Sequence, residues 1–227
     1  MGFFHHIGTF LLFAATVLLV ITTISAPVVH DLGLLKVNLG NATSSHQTEI
    51  VFGTFGYCVT DTSMDNKDFC TGTRVGYNAT EVLSSADSTD FSDSVRKSTN
   101  TLTKVMILHP IILGMSFLSF LLALGAGVLG SFLAAMVSLL TFLVTLVALV
   151  VDFVLFAVVK EHVNESKYDQ AGSHAEYGIA LWTILAAACC SLLGAIIVFF
   201  TCCSQRLSRN RDLGAKNDYG APAGRRW

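Results

Sequence analysis

Asp152 is the residue whose type and position most suggest chemistry, because it is a carboxylate inside a long apolar run. Residues 105–151 contain no Asp, Glu, Lys or Arg, and the apolar run resumes after Asp152 and continues to Val159. An ionised carboxylate without a partner is costly in lipid, so such a residue either serves proton or ion movement or is paired. We expect Asp152 to be protonated, or hydrogen-bonded to a Ser, Thr or Tyr of a neighbouring span. A proton path normally needs several such groups in series, and the spans show no second one.

The cysteines outside the middle of the spans fall into two groups. Cys58 and Cys70 lie in the long polar segment between the first two apolar runs. On the outside of a cell they are expected to form a disulfide, with two free thiols as the alternative. Cys202 and Cys203 follow the last apolar run and precede a basic segment. They are candidates for S-palmitoylation, and simple packing at the end of the span is the alternative.

Catalytic motifs are absent from the sequence. It has no Walker loop, no Gly-x-Ser-x-Gly elbow, no dinucleotide fingerprint and no zinc-type spacing of Cys and His. We therefore expect no catalytic residue, no metal and no cofactor, and we do not expect an enzyme. The net charge of −2 gives no reason to expect a nucleic-acid partner.

The charge-free runs predict a membrane protein with four helical spans. Only 13% of the residues are charged and the mean hydropathy is +0.61, whereas a soluble domain has roughly 25% charged residues. About 20 apolar residues cross the roughly 30 Å of hydrocarbon, so the run before Asp152 is two spans joined by a turn that contains glycines. The predicted fold is an all-α membrane bundle of four transmembrane helices. In chain order we predict a cytoplasmic N-terminus (1–6), a first span (7–26), an extracellular loop (27–104), a second span (105–124), a cytoplasmic turn (125–131), a third span (132–159), a second extracellular loop (160–178), a fourth span (179–201) and a basic cytoplasmic tail (202–227).

The first run has an alternative interpretation as a cleaved signal peptide. Against it, residues 1–8 contain no Lys or Arg, and Pro27 directly follows the small residues at which cleavage would occur. We therefore expect the run to remain as a span.

The orientation follows from glycosylation signals and from the distribution of basic residues. Asn41, Asn78 and Asn164 begin Asn-x-Ser/Thr sequons, and all of them fall in the two loops that four spans place on one side. A sequon is modified only on the lumenal or extracellular side. Basic residues outnumber acidic ones after Cys203, as is typical of a cytoplasmic segment. Both termini are therefore predicted to be cytoplasmic, and the tail is expected to attract anionic membrane lipids.

The first extracellular loop is expected to contain a small β-sheet tied by the disulfide. Residues 49–60 are rich in β-branched and aromatic side chains and predict one strand, and residues 71–77 are a plausible partner strand. Such a short sheet is marginal alone, so a covalent tie would stabilise it. Residues 81–103 are rich in Ser, Thr and Asp and are either a flexible stem or a polar helix.

Histidines are expected on the outside of the membrane, where they would titrate in the range in which a cell senses ambient pH. They are His30, His46, His109, His162 and His174. His109 precedes Pro110 and is expected at the outer end of the second span. Scattered surface histidines are usually incidental, and we favour that interpretation over direct proton sensing.

The first loop contains a signature of Gly53, Phe55, Gly56 and Tyr57 within the segment from Phe52 to Cys58, followed by the Cys-Thr-Gly that begins at Cys70. On these residues it resembles the first loop of claudin-like four-span proteins and, more closely, that of the fungal PalI family and its eisosomal Sur relatives. The tryptophan of the animal claudin pattern is absent here. Further similarities, which extend the resemblance over most of the chain, are Ala26-Pro27, Leu108-His109-Pro110 and Asp152-Phe153.

The resemblance implies a protein of the plasma membrane that assists ambient, alkaline pH signalling. In a role of the PalI type it would stabilise or position a partner membrane protein, namely a seven-span pH receptor. The relatives also suggest an alternative, a claudin-like or eisosomal organiser of membrane domains that is linked to cell-wall integrity and associates with itself. A small transporter or channel subunit is a third class, for which only Asp152 argues.

Overall fold

The computed structural model describes the chain in seven segments. They are residues 3–29, 31–39, 48–61, 69–82, 93–125, 128–165 and 174–219.

Long apolar helices dominate these segments. They are α1 (Phe3–Thr23), α3 (Leu108–Leu124), α4 (Val128–Glu165) and α5 (Ile179–Tyr219), with a shorter polar helix, α2 (Asp93–Val105), directly before α3. Within the described part of the chain, four helices are long and apolar enough to cross a membrane. The expectation of an all-α bundle with four spans is thereby confirmed, and the chain is a multi-pass membrane protein. A flexible stem or a polar helix was expected over residues 81–103; the structure has the polar helix from Asp93 onwards, and residues 83–92 lie outside the described part of the chain.

The four long helices form a closed ring of neighbours, in which α1 packs against α3 and α5, and α4 packs against the same two helices. Glycines allow α1 and α5 to approach closely. A Cβ atom at Gly8 would lie 2.9 Å from Cγ2 of Val198, and one at Gly194 would lie 2.9 Å from Cδ2 of Leu12. Small residues at helix contacts are the usual means of close packing in membranes, where no hydrophobic effect drives helices together.

Hydroxyl groups link the helices inside the bundle. Oγ1 of Thr16 lies 2.9 Å from Oγ of Ser116, which joins α1 to α3. Ser119 donates to the carbonyl of Ala134 at 3.1 Å, and Ser138 donates to the carbonyl of Ser191 at 3.1 Å. These bonds satisfy polar groups that would otherwise be exposed to lipid and hold α4 between α3 and α5.

A five-stranded antiparallel sheet covers one end of the bundle, which we call the sheet end. Its strands are β1 (Leu35–Leu39), β2 (Thr48–Phe52), β3 (Tyr57–Asp61), β4 (Phe69–Cys70) and β5 (His174–Tyr177). Their order across the sheet is β4-β3-β2-β1-β5. The small sheet expected in the first loop is therefore confirmed, and it also gains β5 from the loop between α4 and α5.

The details of the sheet differ from the sequence expectation in two places. The single strand expected over residues 49–60 is a hairpin, because Gly53 and Gly56 form a turn in which the N–H of Gly53 donates to the carbonyl of Gly56 at 2.8 Å. The prediction of a partner strand over residues 71–77 is wrong. The strand that pairs with β3 is β4, and residues 71–78 form no strand.

The main apolar core lies where the sheet meets the spans. It combines Leu34, Val37 and Phe52 of the sheet region with side chains of the helices, such as Phe156 and Leu181, and all five are fully buried. The sheet is therefore not a separate module joined by a linker. Its inner face and the sheet end of the bundle share one core, so a change in one is transmitted to the packing of the other.

Candidate functional site

Asp152 lies on α4, inside the bundle and close to the sheet end. Its Oδ2 atom is 3.2 Å from Nε2 of His109, and the two side chains are each only 2% exposed. The two atoms are within ion-pair distance but are not aligned as in an ordinary hydrogen bond. The partner expected for Asp152 was a hydroxyl group, and the structure supplies an imidazole from α3 instead.

His109 was expected among histidines exposed on the outside, at the outer end of the second span, and the expected exposure is wrong, because its side chain is buried. It occupies the first turn of α3, where its ring turns inwards, and its backbone N–H and its Nδ1 both lie 3.1 Å from the carbonyl oxygen of Met106. Because that carbonyl is an acceptor, Nδ1 carries a proton and Nε2 is the atom that faces Asp152. The expectation that the spans contain no second ionisable group beside Asp152 is corrected by the same contact.

A neighbouring side chain connects this pair to the sheet. Tyr77 is buried, and its hydroxyl donates to the carbonyl of Gly53 at 2.8 Å. Burial, and then the negative charge of Asp152, raise the pKa of the Tyr77 hydroxyl, so Tyr77 stays protonated and remains a donor. The ring of Tyr77 is stacked on that of Phe52, with ring centres 6.2 Å apart, which fixes its position under the hairpin.

The turn at Gly53 is docked on the end of α1. A Cβ atom on Gly53 would overlap the carbonyl of Ala26, and one on Gly56 would lie 3.2 Å from the ring of Pro27. Thr54 completes the contact, since its N–H donates to the hydroxyl of Ser25 at 3.1 Å and its own hydroxyl donates to the carbonyl of Thr22 at 3.0 Å. Gly53 is thus required because backbone meets backbone here, and Gly56 because a Cβ atom would crowd the side chains of Thr71 and Pro27.

The remaining signature residues support the same turn. The carbonyl of Phe55 accepts a hydrogen bond from the N–H of Arg74 at 2.9 Å. Tyr57 begins β3, where its N–H donates to the hydroxyl of Thr71 at 3.1 Å and its ring lies 6.1 Å from that of Tyr77. The residues of this sequence motif therefore connect three parts of the structure, namely the hairpin, the segment after β4 and the end of α1.

The predicted disulfide between Cys58 and Cys70 is present in the structure. The two residues face each other across β3 and β4, with Cα atoms 4.1 Å apart. Cys58 is buried, and together with Ala26 and Val51 it forms a small apolar cluster under the turn. The disulfide therefore holds the short β4 strand, and with it the segment that leads to Tyr77.

Two of the candidate glycosylation sites lie at the sheet end, and both side chains are exposed. Nδ2 of Asn78 donates to a carboxylate oxygen of Glu81 at 2.9 Å, and Oδ1 of Asn164 accepts from the N–H of Ala175 at 3.0 Å. Asn41 lies outside the described residues. The palmitoylation candidates are both on α5, where Cys202 is buried and Cys203 is exposed.

A polar cleft of about 620 Å³ opens beside Asn78, between β3 and α2. Its walls include Tyr57, Arg74 and Asn100. A smaller cleft of about 340 Å³ shares Asn78 and Asn100 with it and continues along α2 towards Arg96. In the described part of the chain, no cluster of His, Cys, Asp and Glu is arranged to hold a metal ion.

His109 is the functional candidate whose role the sequence reasoning missed. A usable signal existed, because a buried acid needs a donor and His109 is an ionisable residue near the outer end of the neighbouring span. What the sequence did not supply was the helix that this face of α3 meets, and therefore the pairing of His109 with Asp152.

Comparison with known proteins adds a family and two relatives. The model of the SUR7/PalI family matches residues 4–208. The chain is 27% identical over 216 residues, 94% of its length, to the pH-response regulator protein palI/prr-5 of Neurospora crassa, of which the match covers 28%. It is also 27% identical over 153 residues, 64% of its length, to the pH-response regulator protein palI/RIM9 of Pyricularia oryzae, of which the match covers 19%. The matched region thus spans less than a third of either relative.

Proposed function

Because the chain belongs to the SUR7/PalI family, we propose that it is a non-enzymatic accessory protein of the plasma membrane that assists the response to alkaline ambient pH. In this role it stabilises or positions a partner membrane protein, for which the family resemblance suggests a seven-span pH receptor. The observation that carries the proposal is the match to a named pH-response regulator over 94% of this chain.

The matched region supports a role for the membrane body. It contains the four spans, the sheet and the buried pair, and it ends at residue 208, soon after the last span. What this chain has in common with the family model therefore lies almost entirely in the bundle and its sheet. A body of this kind offers a long lipid-facing surface and a folded domain at one end, both of which suit contact with another membrane protein.

The orientation we propose has the sheet outside the cell and both termini in the cytoplasm. The exposed Asn78 and Asn164 support it, because both sequons lie at the sheet end. The basic residues of α5 follow the opposite end of the last span, at Arg206, Arg209 and Arg211. A basic segment on the cytoplasmic side would be attracted to anionic lipid by about 1 kcal/mol per charge.

An organiser of membrane domains is the second candidate function. The family description joins SUR7 with PalI, so the same body is shared by both branches. In this alternative the protein associates with itself and with lipids, and its loss would affect the cell wall. A transporter or channel subunit is less favoured, since the carboxylate that suggested it is paired with His109 and enclosed.

Deletion of the gene in the host fungus separates these functions. The proposal expects poor growth at alkaline pH and a lower plasma-membrane level of the partner receptor, with normal growth at acidic pH. A copy without residues 206–227 should restore both, because the membrane body is proposed to do the work. Normal alkaline growth together with altered membrane furrows or cell wall would instead support the domain organiser.

A further inference from the structure

The contact between His109 and Asp152 requires a shared proton. Nδ1 of His109 is committed to the carbonyl of Met106, 3.1 Å away, so in a neutral imidazole Nε2 has only a lone pair. That lone pair would face the oxygen of an ionised Asp152 at 3.2 Å, which places two acceptors against each other. A proton on either Nε2 or Oδ2 removes this repulsion, so the pair binds one proton as a unit.

The pair is shielded from bulk water, so solvent cannot relieve the repulsion between the two acceptors. Both side chains are 2% exposed, and Leu155 and Phe156, which lie three and four residues after Asp152 and are themselves buried, share its face of α4. Met106 is buried on the other side. In such an environment an unpaired negative charge costs far more than it would at the surface.

Other ionisable groups near the pair are few. Tyr77 faces it from the segment after β4, and its pKa is raised by burial and by the charge of Asp152. Lys104 at the end of α2 is exposed, and Nζ of Lys160 on α4 lies over the ring of Tyr177. Along their spans, from residue 7 to 23 and from 179 to 204, α1 and α5 contribute no Asp, Glu, Lys, Arg or His. Among the residues that the structure describes, no other group inside the bundle therefore compensates the charge of the pair.

We propose that His109 and Asp152 form a proton-binding site that couples proton concentration to the docking of the hairpin turn on the end of α1. This inference rests on the pH-response function proposed above and names the site at which a proton acts. When the shared proton is bound, the pair has no net charge and the core is closed. When it is lost, one negative charge is left in the core that the sheet and the spans share.

The coupling runs through Tyr77. Its hydroxyl donates a hydrogen bond to the carbonyl of Gly53 at 2.8 Å. The same hydroxyl interacts electrostatically with the carboxylate of Asp152. An uncompensated carboxylate attracts this hydroxyl and hydrates the core, and both effects weaken the bond to Gly53. The turn that includes Thr54 then loosens from Ser25, so that the outer surface of the protein changes as the pH rises.

Hydrogen exchange on the full chain in lipid nanodiscs tests the proposal directly. Protection is measured for peptides that cover residues 49–61, after correction for the intrinsic pH dependence of exchange, between about pH 5 and 8. Opening that is coupled to the release of one proton should reduce protection by about tenfold per pH unit over the range in which the closed state still holds the proton and the opened state has released it, and the reduction should level off at higher pH. A peptide from the middle of α4 should keep its protection. A flat profile for residues 49–61 in the unaltered protein would overturn the proposal whatever the variants do.

Asp152→Asn provides the decisive variant. Its amide can donate to Nε2 of a neutral His109, so this pair needs no shared proton, and the pH dependence should disappear while protection stays high. His174→Asn is the matched control, because His174 also lies 3.2 Å from a carboxylate, that of Glu176, but both side chains are more than half exposed. The control should keep the profile of the unaltered protein. Persistence of the profile in Asp152→Asn, or its loss in the control, would overturn the proposal.

This experiment is independent of the proposed function. If alkaline growth is normal after deletion but the exchange profile follows the pair, the cellular role is refuted and the proton site stands. If growth fails at alkaline pH but the profile is flat, the role stands and the proton site is refuted.

Discussion

Replacing either member of the buried pair with Leu should destabilise the protein, and the two costs should be unequal. His109→Leu leaves the carboxylate of Asp152 buried without a donor, and removal of one partner of a buried ion pair costs about 3–5 kcal/mol. Asp152→Leu leaves an imidazole that can remain neutral and keep its bond to the carbonyl of Met106. Only the lone pair of Nε2 then lacks a partner, which costs about 1–3 kcal/mol. We therefore expect His109→Leu to be the more destabilising change by about 2 kcal/mol.

The double variant isolates the interaction. With Leu at both His109 and Asp152 no buried polar atom of the pair is left unpartnered, and replacement of a buried pair by apolar residues is often neutral. The loss in the double variant should thus be well below the sum of the single losses and no greater than that of His109→Leu. Denaturant unfolding in detergent micelles, followed by circular dichroism, gives the four free energies of unfolding. Additive losses, or a larger loss for Asp152→Leu than for His109→Leu, would refute the reasoning.

The amount of protein at the cell surface, measured by surface biotinylation, should be near normal for Asp152→Asn, which keeps a hydrogen-bonding partner for His109, and reduced for Asp152→Leu, which does not. Cys58→Ser should cost about 2–5 kcal/mol and retain the protein in the secretory pathway, and non-reducing peptide mass spectrometry of the unaltered protein should show the disulfide. Gly53→Ala should be destabilising by about 1–3 kcal/mol, because its Cβ would overlap the backbone that follows α1, whereas Gly72→Ala, with no atom within 4 Å of its Cβ, should be nearly neutral. Endoglycosidase treatment should increase the mobility of the protein through a site such as Asn78, and modification confined to a sequon engineered into the tail would invert the proposed topology.

The spans, the disulfide and the presence of a sheet could be predicted because their signals are local. A charge-free run of sufficient length needs no knowledge of the rest of the chain, and neither does a cysteine pair in a polar loop. The break in the strand expected over residues 49–60 was also encoded locally, by Gly53 and Gly56, but the β-branched residues on either side concealed it. The turn becomes evident only when the backbone of Ala26 is seen to occupy the space of a side chain.

The fifth strand and the buried pair could not be predicted because both depend on distant parts of the chain. Residues 174–177 have the sequence His-Ala-Glu-Tyr, which carries no strand signal, and they become a strand only because β1 offers a free edge. His109 becomes a partner of Asp152 only through the relative rotation of two helices. No apolar stripe reports this rotation in α3. The polar residues His109, Ser116 and Ser119 share one stripe that indicates its buried face, but they do not say which helix that face meets.

The pairing of β1 with β5 has a consequence for biosynthesis. Leu35 lies beside Tyr177, and α2, α3 and α4 are all made between them. At translation rates of 5–20 residues per second, the ribosome needs on the order of ten seconds to supply β5 after β1 has been made. During that time the nascent chain presents an unsatisfied strand edge, which in the orientation proposed above lies in the lumen, where it can recruit a chaperone or mispair. Because β5 follows α4 and precedes the last span, completion of this edge reports that α4 has brought the chain back to the sheet end, so the sheet can act as a checkpoint for assembly of the first three spans.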